Sequence, residues 1–246
     1  MFPELILREE QHRNYPLLAL LGVCSVIAAY IVAGVIYPRE ADMLIVIFAA
    51  IPLVYPLTSF FFDDEADRAP HIPEIAGYFA LFLGQAVAFL GLGYFKPDFF
   101  AAQALRAGIS GSAISPNFFL FLLVNNIGVF AAITLVSFVT GSAGAFILSW
   151  NASVLGVFLA NLLHKLPDGL SAAFLGTKGT APPLAYVPHA TFEMTGFILA
   201  GVSGSLMSAA VYREHFDWAH WKDFGKLFGI GALCIVIGAL LESTGS

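Results

Sequence analysis

From Pro16 to Tyr37 the chain carries no charged side chain. At about 1.5 Å per residue a helix of that length spans roughly 30 Å, the thickness of a bilayer's hydrocarbon core. Comparable apolar runs recur near residues 43–62, 75–95, 117–139, 143–163, 190–211 and 224–241. In lipid every backbone polar group must be satisfied internally, which a helix does within one segment. The expected fold is therefore all-α, a polytopic transmembrane helix bundle of about seven spans, with residues 1–246 forming one membrane-embedded domain. Pro52 and Pro56 fall inside the second run, where they remove backbone bonds and predict a kink or a broken helix. Six spans result if that segment or the last one is re-entrant.

Composition agrees with this reading and excludes others. Charged residues make up 11% of the chain and hydrophobic ones 59%, whereas soluble domains average about 25% charged residues. So few charges cannot cover a water-facing surface, and the lipid bilayer is the first partner. No basic stripe with interleaved aromatics is present, so nucleic-acid binding has no support. Cys24 and Cys234 both lie inside apolar runs and are expected to be buried as small hydrophobes. Two such residues build neither a disulfide framework nor a paired-cysteine metal motif. The first residues, Met1 to Glu10, are mixed in charge, and the run that follows is longer than a signal-peptide core, so it reads as a retained anchor. With seven spans, Arg8, Arg13, Arg68, Arg213, Lys222 and Lys226 fall on the N-terminal face. Arg39, Lys96, Arg106, Lys165 and Lys178 fall on the other. Six against five places the N-terminus in the cytoplasm of a cell-membrane protein by the positive-inside rule.

Three connections stand out. Asp63, Asp64, Glu65, Asp67 and His71 form the densest charge cluster, either a solvated loop capping the next helix or a collector of a divalent cation. Residues 96–115 carry Phe99, Phe100, Leu105 and Ile109 at positions that suit a short amphipathic helix lying in the interface. Residues 212–221 mix Phe216, Trp218 and Trp221 with Arg213, His215 and His220, as an interfacial aromatic belt does.

The chemistry-bearing residues lie within the spans. Pro188-His189 and Glu193 open the sixth run, and a spacing of four puts His189 and Glu193 on one helix face. Gly196, Ala200, Gly204 and Ser208 follow at close to helical spacing and predict a small-residue seam for a neighbouring helix. Asn125-Asn126 lies in the fourth run and Asn151 in the fifth. Amides at membrane depth need partners within the protein. Alternation through seven spans puts Asn125, Asn126, Asn151 and Glu193 at comparable depth, with His189 near the mouth. The expectation is one intramembrane polar cluster of Asn125, Asn126, Asn151, His189 and Glu193, alternatively a structural polar contact at a helix end. The same alternation sets the acidic loop on the opposite membrane face from His189.

At these residues the chain resembles the stage II sporulation protein M family of integral membrane proteins. The features that carry the resemblance are Asn125-Asn126, the turn glycine Gly141 with Gly144, Asn151, and Pro188-His189 followed by Glu193. It covers roughly residues 117–204, with the earlier spans similar in pattern only. Ala152 and Ala190 stand where the family carries glycine after the asparagine and after the histidine. What the resemblance implies is a membrane protein that works within a complex; it supplies no reaction.

Three functions fit these residues. The first is a non-enzymatic scaffold or permease-like component of a membrane complex, working with membrane-protein partners or by self-association. The second is an intramembrane metal-dependent hydrolase, since His189 and Glu193 have ligand-type spacing and a histidine with a carboxylate suits zinc. No HExxH and no GxSxG accompanies them. The third is a proton- or cation-coupled transporter using the same cluster.

Overall fold

The computed structural model describes residues 14–62, 71–110, 118–142, 144–165, 187–213 and 217–245. These form eight α-helices: α1 Tyr15–Ile36, α2 Ala41–Phe62, α3 Ile72–Phe95, α4 Ala101–Ser110, α5 Phe118–Thr140, α6 Gly144–Lys165, α7 Val187–Tyr212 and α8 Trp218–Gly245. All but α4 are long and apolar enough to cross a membrane, which makes seven candidate spans. Large apolar side chains such as Val35, Val87, Val124 and Val139 point outward, as lipid-facing surfaces require. Cys24 is among the outward residues. That corrects the expectation that both cysteines are buried, because a span with one packed face leaves half of its apolar residues to lipid.

The helices associate in two sectors. In the first, α3 packs on α1 and α6, and α2 closes on α1. In the second, α7 packs on both α5 and α8. Close approach in the first sector depends on glycine. A Cβ on Gly22 would sit 2.5 Å from the Leu81 carbonyl oxygen, and one on Gly84 would collide with the Ala19 carbonyl. Backbones touch there, and attraction between membrane helices comes largely from such packing.

One buried amide ties four helices of this sector. Gln85 on α3 is 1% exposed. Its Nε2 donates to the Ala49 carbonyl on α2 at 3.1 Å and reaches Ser25 Oγ on α1 at 3.5 Å. Its Oε1 accepts from Ser149 Oγ on α6 at 2.8 Å. An amide at this depth is tolerated because both ends are satisfied.

α2 runs unbroken from Ala41 to Phe62 through Pro52 and Pro56, so it is a span and not a re-entrant segment. Side chains supply bonds around the prolines. Thr58 Oγ1 and Ser142 Oγ both donate to the Val54 carbonyl at 2.8 Å, and Ser59 Oγ donates to the Pro56 carbonyl at 2.9 Å. The carbonyls that the two prolines free are those of Phe48 and Pro52, so these hydroxyl bonds reinforce the turns beyond them.

The sectors are joined by the short α5–α6 turn. Gly141 has φ +87, the left-handed region that glycine adopts without a Cβ penalty. Its N–H closes on the Ser137 carbonyl at 2.8 Å. Ser142 Oγ reaches back to the Val54 carbonyl on α2, and Tyr78 Oη on α3 lies 3.0 Å from Ser205 Oγ on α7.

Two connections differ from expectation. The segment before and through α4 docks on the bundle in addition to facing the interface. Phe100 is fully buried against Phe89, and Phe99 packs on Tyr30. Asp42 at the start of α2 accepts from the Ala102 N–H, and its carbonyl accepts from Gln103 Nε2. Leu105 alone of the named apolar set is strongly exposed; the Ile109 side chain lies outside the described residues. The last span begins at Trp218, earlier than the apolar run suggests. Asp217 Oδ1 caps it by accepting from the N–H groups of Ala219 and His220.

Candidate functional site

α5 and α7 run in the same direction, because the single span α6 lies between them in the chain. Asn126 on α5 therefore meets Glu193 on α7 at one level. Asn126 Nδ2 donates to Glu193 Oε1 at 2.5 Å, and Asn125 Nδ2 donates to Asn126 Oδ1 at 3.0 Å. The amides form a short chain whose end is the carboxylate. Lower along the same pair, Gly204 of α7 meets the Thr134 carbonyl and Ser137 of α5. One constant register thus carries both contacts.

α8 closes the other side and runs antiparallel to α7. A Cβ on Gly238 would lie 2.6 Å from Glu193 Cγ and 3.3 Å from the His189 carbonyl oxygen. A Cβ on Gly196 would lie 2.7 Å from Ile235 and 2.9 Å from the Gly231 carbonyl oxygen. The Glu193 side chain thus rests on bare α8 backbone. Glu242 is one turn beyond Gly238 on the same helix face. Continuing the register one turn outward brings His189 level with Glu242.

The mouth thus assembles, from the membrane face opposite the N-terminus inward, His189 and Glu242, then Glu193 about 6 Å deeper, with Asn126 and Asn125 reaching in from α5. Apolar neighbours seal it: Leu122 on α5 is buried against Ala239 on α8, with Phe119 and Leu123 beside them.

Of the residues expected to cluster, Asn125, Asn126 and Glu193 are joined by hydrogen bonds, and His189 lies one turn outward on the face of α7 that carries Glu193. Asn151 is placed differently. Its Nδ2 donates to the Ile147 carbonyl of its own helix at 2.8 Å, which satisfies the amide locally and leaves it outside the hydrogen-bonded chain. The small-residue seam also divides. Gly196 faces α8 and Gly204 faces α5, because steps of four residues advance the contact face by about 40° each.

For the metal reading, no three His, Cys, Asp or Glu side chains converge among the described residues. Asp63, Asp64, Glu65 and Asp67 lie outside the described residues. His71 is described, with its Nδ1 3.9 Å from Glu74 Oε2 at the start of α3, on the membrane face opposite His189.

Glu242 and Gly238 are residues of this mouth that the sequence analysis did not single out; Glu242 lies just beyond the last apolar run, 224–241. A signal was present. Helical spacing joins Gly238 to Glu242, and seven alternating spans return Glu242 to the face of His189.

The profile of stage II sporulation protein M matches residues 17–246, nearly the whole chain. The chain belongs to the stage II sporulation protein M family. No curated protein and no solved structure matches it. Family membership and seven apolar helices together make this chain a multi-pass membrane protein. The family match also takes in α1 to α4, which extends the likeness well beyond the α5–α7 motifs.

Proposed function

We propose that this stage II sporulation protein M family member is a non-enzymatic scaffold or permease-like component of a cell-membrane complex, and that the sector of α5, α7 and α8 is its working part. The observation that carries the reading is the Asn126–Glu193 bond with Glu193 seated on Gly238. The chain places an ionisable side chain at membrane depth and builds three helices around it, where an apolar residue would pack at lower cost. Such expense marks a function more often than a fold requirement.

Native mass spectrometry of the tagged chain, extracted from its own membranes in mild detergent, tests this. The expected particle is a defined assembly larger than the 26.3 kDa chain, either with other membrane proteins or with further copies. A lone chain under every mild extraction, active without additions, overturns the proposal.

A further inference from the structure

The first turns of α8 present a basic, aromatic-edged face to the lipid. At about 100° per residue, Trp218, Lys222, Gly225, Gly229 and Leu233 fall within about 80° of one another, and all five are exposed. A Cβ added to Gly225 or Gly229 would have nothing within 4 Å. The side chains are therefore interrupted between Lys222 and Leu233 by a notch roughly two turns long. Its two edges differ. Along one, the rings of Trp221, Phe224 and Phe228 follow one another at centroid separations of 6.0 and 5.4 Å, and Phe130 of α5 backs Phe228 at 4.9 Å. Along the other stands Lys226, 69% exposed, with its Nζ 3.0 Å from Asp223 Oδ1. Asp223 lies about 100° round the helix from Lys222, off this face. Lys222 has no acidic partner among the described residues.

We propose that this face seats an anionic phospholipid of the leaflet on the N-terminal side, with its phosphate between Lys222 and Lys226 and an acyl chain on the bare backbone at Gly225 and Gly229. Charge decides among the occupants. Copies of one chain share an orientation in a membrane, so a second copy docking by the same face would set Lys222 against Lys222 across a two-fold axis. That is a like-charge contact at the edge of a low-dielectric medium. A phosphate offsets both lysines instead. Depth agrees with this occupant. Lys222 and Lys226 lie about 6 and 12 Å along the helix from Trp218, and lysines at such positions extend their amines outward to the headgroups. Trp218 and Trp221 favour the same level. A zwitterionic lipid would make the same chain contacts with no net charge to offer, so the face discriminates by headgroup. The inference does not depend on the assembly reading, since a lone chain carries the same notch.

Contact quenching of tryptophan fluorescence tests the proposal. The full chain is placed in phosphatidylcholine vesicles with rising fractions of phosphatidylglycerol brominated on its acyl chains, and in parallel with brominated phosphatidylcholine. The chain has three tryptophans. Trp150→Phe reports from α8 alone, and Trp218→Phe combined with Trp221→Phe reports from Trp150 on α6 as the control. At α8 the expected midpoint for phosphatidylglycerol lies about fivefold or more below that at Trp150, whereas phosphatidylcholine follows bulk composition at both. Lys222→Gln is expected to lower the preference about fivefold, the fold-change that about 1 kcal/mol per basic residue at an anionic surface gives. Gly225→Leu combined with Gly229→Leu fills the notch without a collision and is expected to return α8 to bulk composition with both lysines in place. Quenching at α8 that follows bulk composition for phosphatidylglycerol overturns the proposal. So does a preference that neither Lys222→Gln nor the filled notch changes, which is the behaviour of lipid gathered by general surface charge. Absence of quenching at α8 by either lipid means that protein covers the face, and it also overturns the proposal. The unsubstituted chain, with two of its three tryptophans on α8, carries the comparison of the two lipids, so a variant that fails to fold does not obscure the answer.

Discussion

Asn126 on α5 and Glu193 on α7 meet at 2.5 Å, amide to carboxylate, across two parallel helices that are not adjacent in the chain. The contact joins a neutral donor to a group that lipid would reject, and it sits where α8 offers only Gly238 as a backing. Removing the donor leaves the carboxylate oxygen without a partner. Asn126→Leu is expected to destabilise the fold by about 1–3 kcal/mol, the cost of a buried acceptor left unsatisfied. Asn125→Ala removes the outer link to Asn126 and is expected to cost about 0.6 kcal/mol, the mean for polar contacts between membrane helices. Denaturant titration in detergent micelles, followed by circular dichroism, measures both.

The glycines divide into two groups with opposite expected outcomes. Gly238→Ala drives a methyl group into Glu193 Cγ, and Gly84→Ala drives one into the Ala19 carbonyl. At Gly84 the obstacle is backbone, and at Gly238 it is the root of a side chain with helix backbone 3.3 Å behind it, so each is expected to cost about 1–3 kcal/mol by overpacking. Gly225 and Gly229 have nothing within 4 Å of an added Cβ. Gly225→Ala and Gly229→Ala are expected to be neutral or stabilising by about 0.5–1 kcal/mol through helix propensity alone. Thermal melts of the four variants decide the matter, and a loss at Gly225 matching that at Gly238 would refute the packing assigned to α8.

Gln85 bonds to α1, α2 and α6 at once. Gln85→Leu strands the Ala49 carbonyl and Ser149 together and is expected to cost about 2 kcal/mol or more, since each buried orphan contributes about 1–3 kcal/mol. Ser149→Ala removes one link and is expected to cost less. Unfolding midpoints in the same micelles give the ranking.

How far the sequence could lead is clearest at particular residues. Uncharged runs such as 16–37 specify helices and their number because lipid admits no other use of them. Glu193 and Asn126 were legible as partners because a polar group in such a run must find another one. Asn151 satisfied the same rule within its own helix, by back-bonding to Ile147, a choice that composition cannot reveal. Glu242 was hidden because hydropathy falls at Glu242 and Ser243, whereas the helix itself continues to Gly245. Hydropathy marks where apolar residues end, and backbone hydrogen bonding marks where helices end. Gly238 gave no signal of its own, since a glycine's role appears only once its neighbour across the interface is known.

At the opposite face, Asp217 holds the first turn of α8 by accepting from the backbone N–H of His220, and from its ring, and from the Ala219 N–H. The His220 backbone bond is the largest cause that lowers the Asp217 pKa below its ordinary value. A depressed folded-state value means that the capping contribution is full above the ordinary aspartate range and is lost as pH falls through the folded value. Asp217→Ala is therefore expected to speed amide exchange at residues 218–221 near neutral pH. Wild type and variant should converge in acid. Hydrogen exchange with mass spectrometry reads both conditions.

The central claim, that Asn126 and Glu193 act as one unit in the α5–α7–α8 mouth, is tested most directly by a double-mutant cycle. Asn126→Leu, Glu193→Gln and the double variant are compared by denaturant unfolding in micelles, beside a control cycle that pairs Glu193→Gln with Asn151→Leu. The account predicts a coupling of about 0.5–2 kcal/mol between Asn126 and Glu193 and none with Asn151. Additive losses at Asn126 and Glu193, or equal coupling in the control cycle, would contradict it.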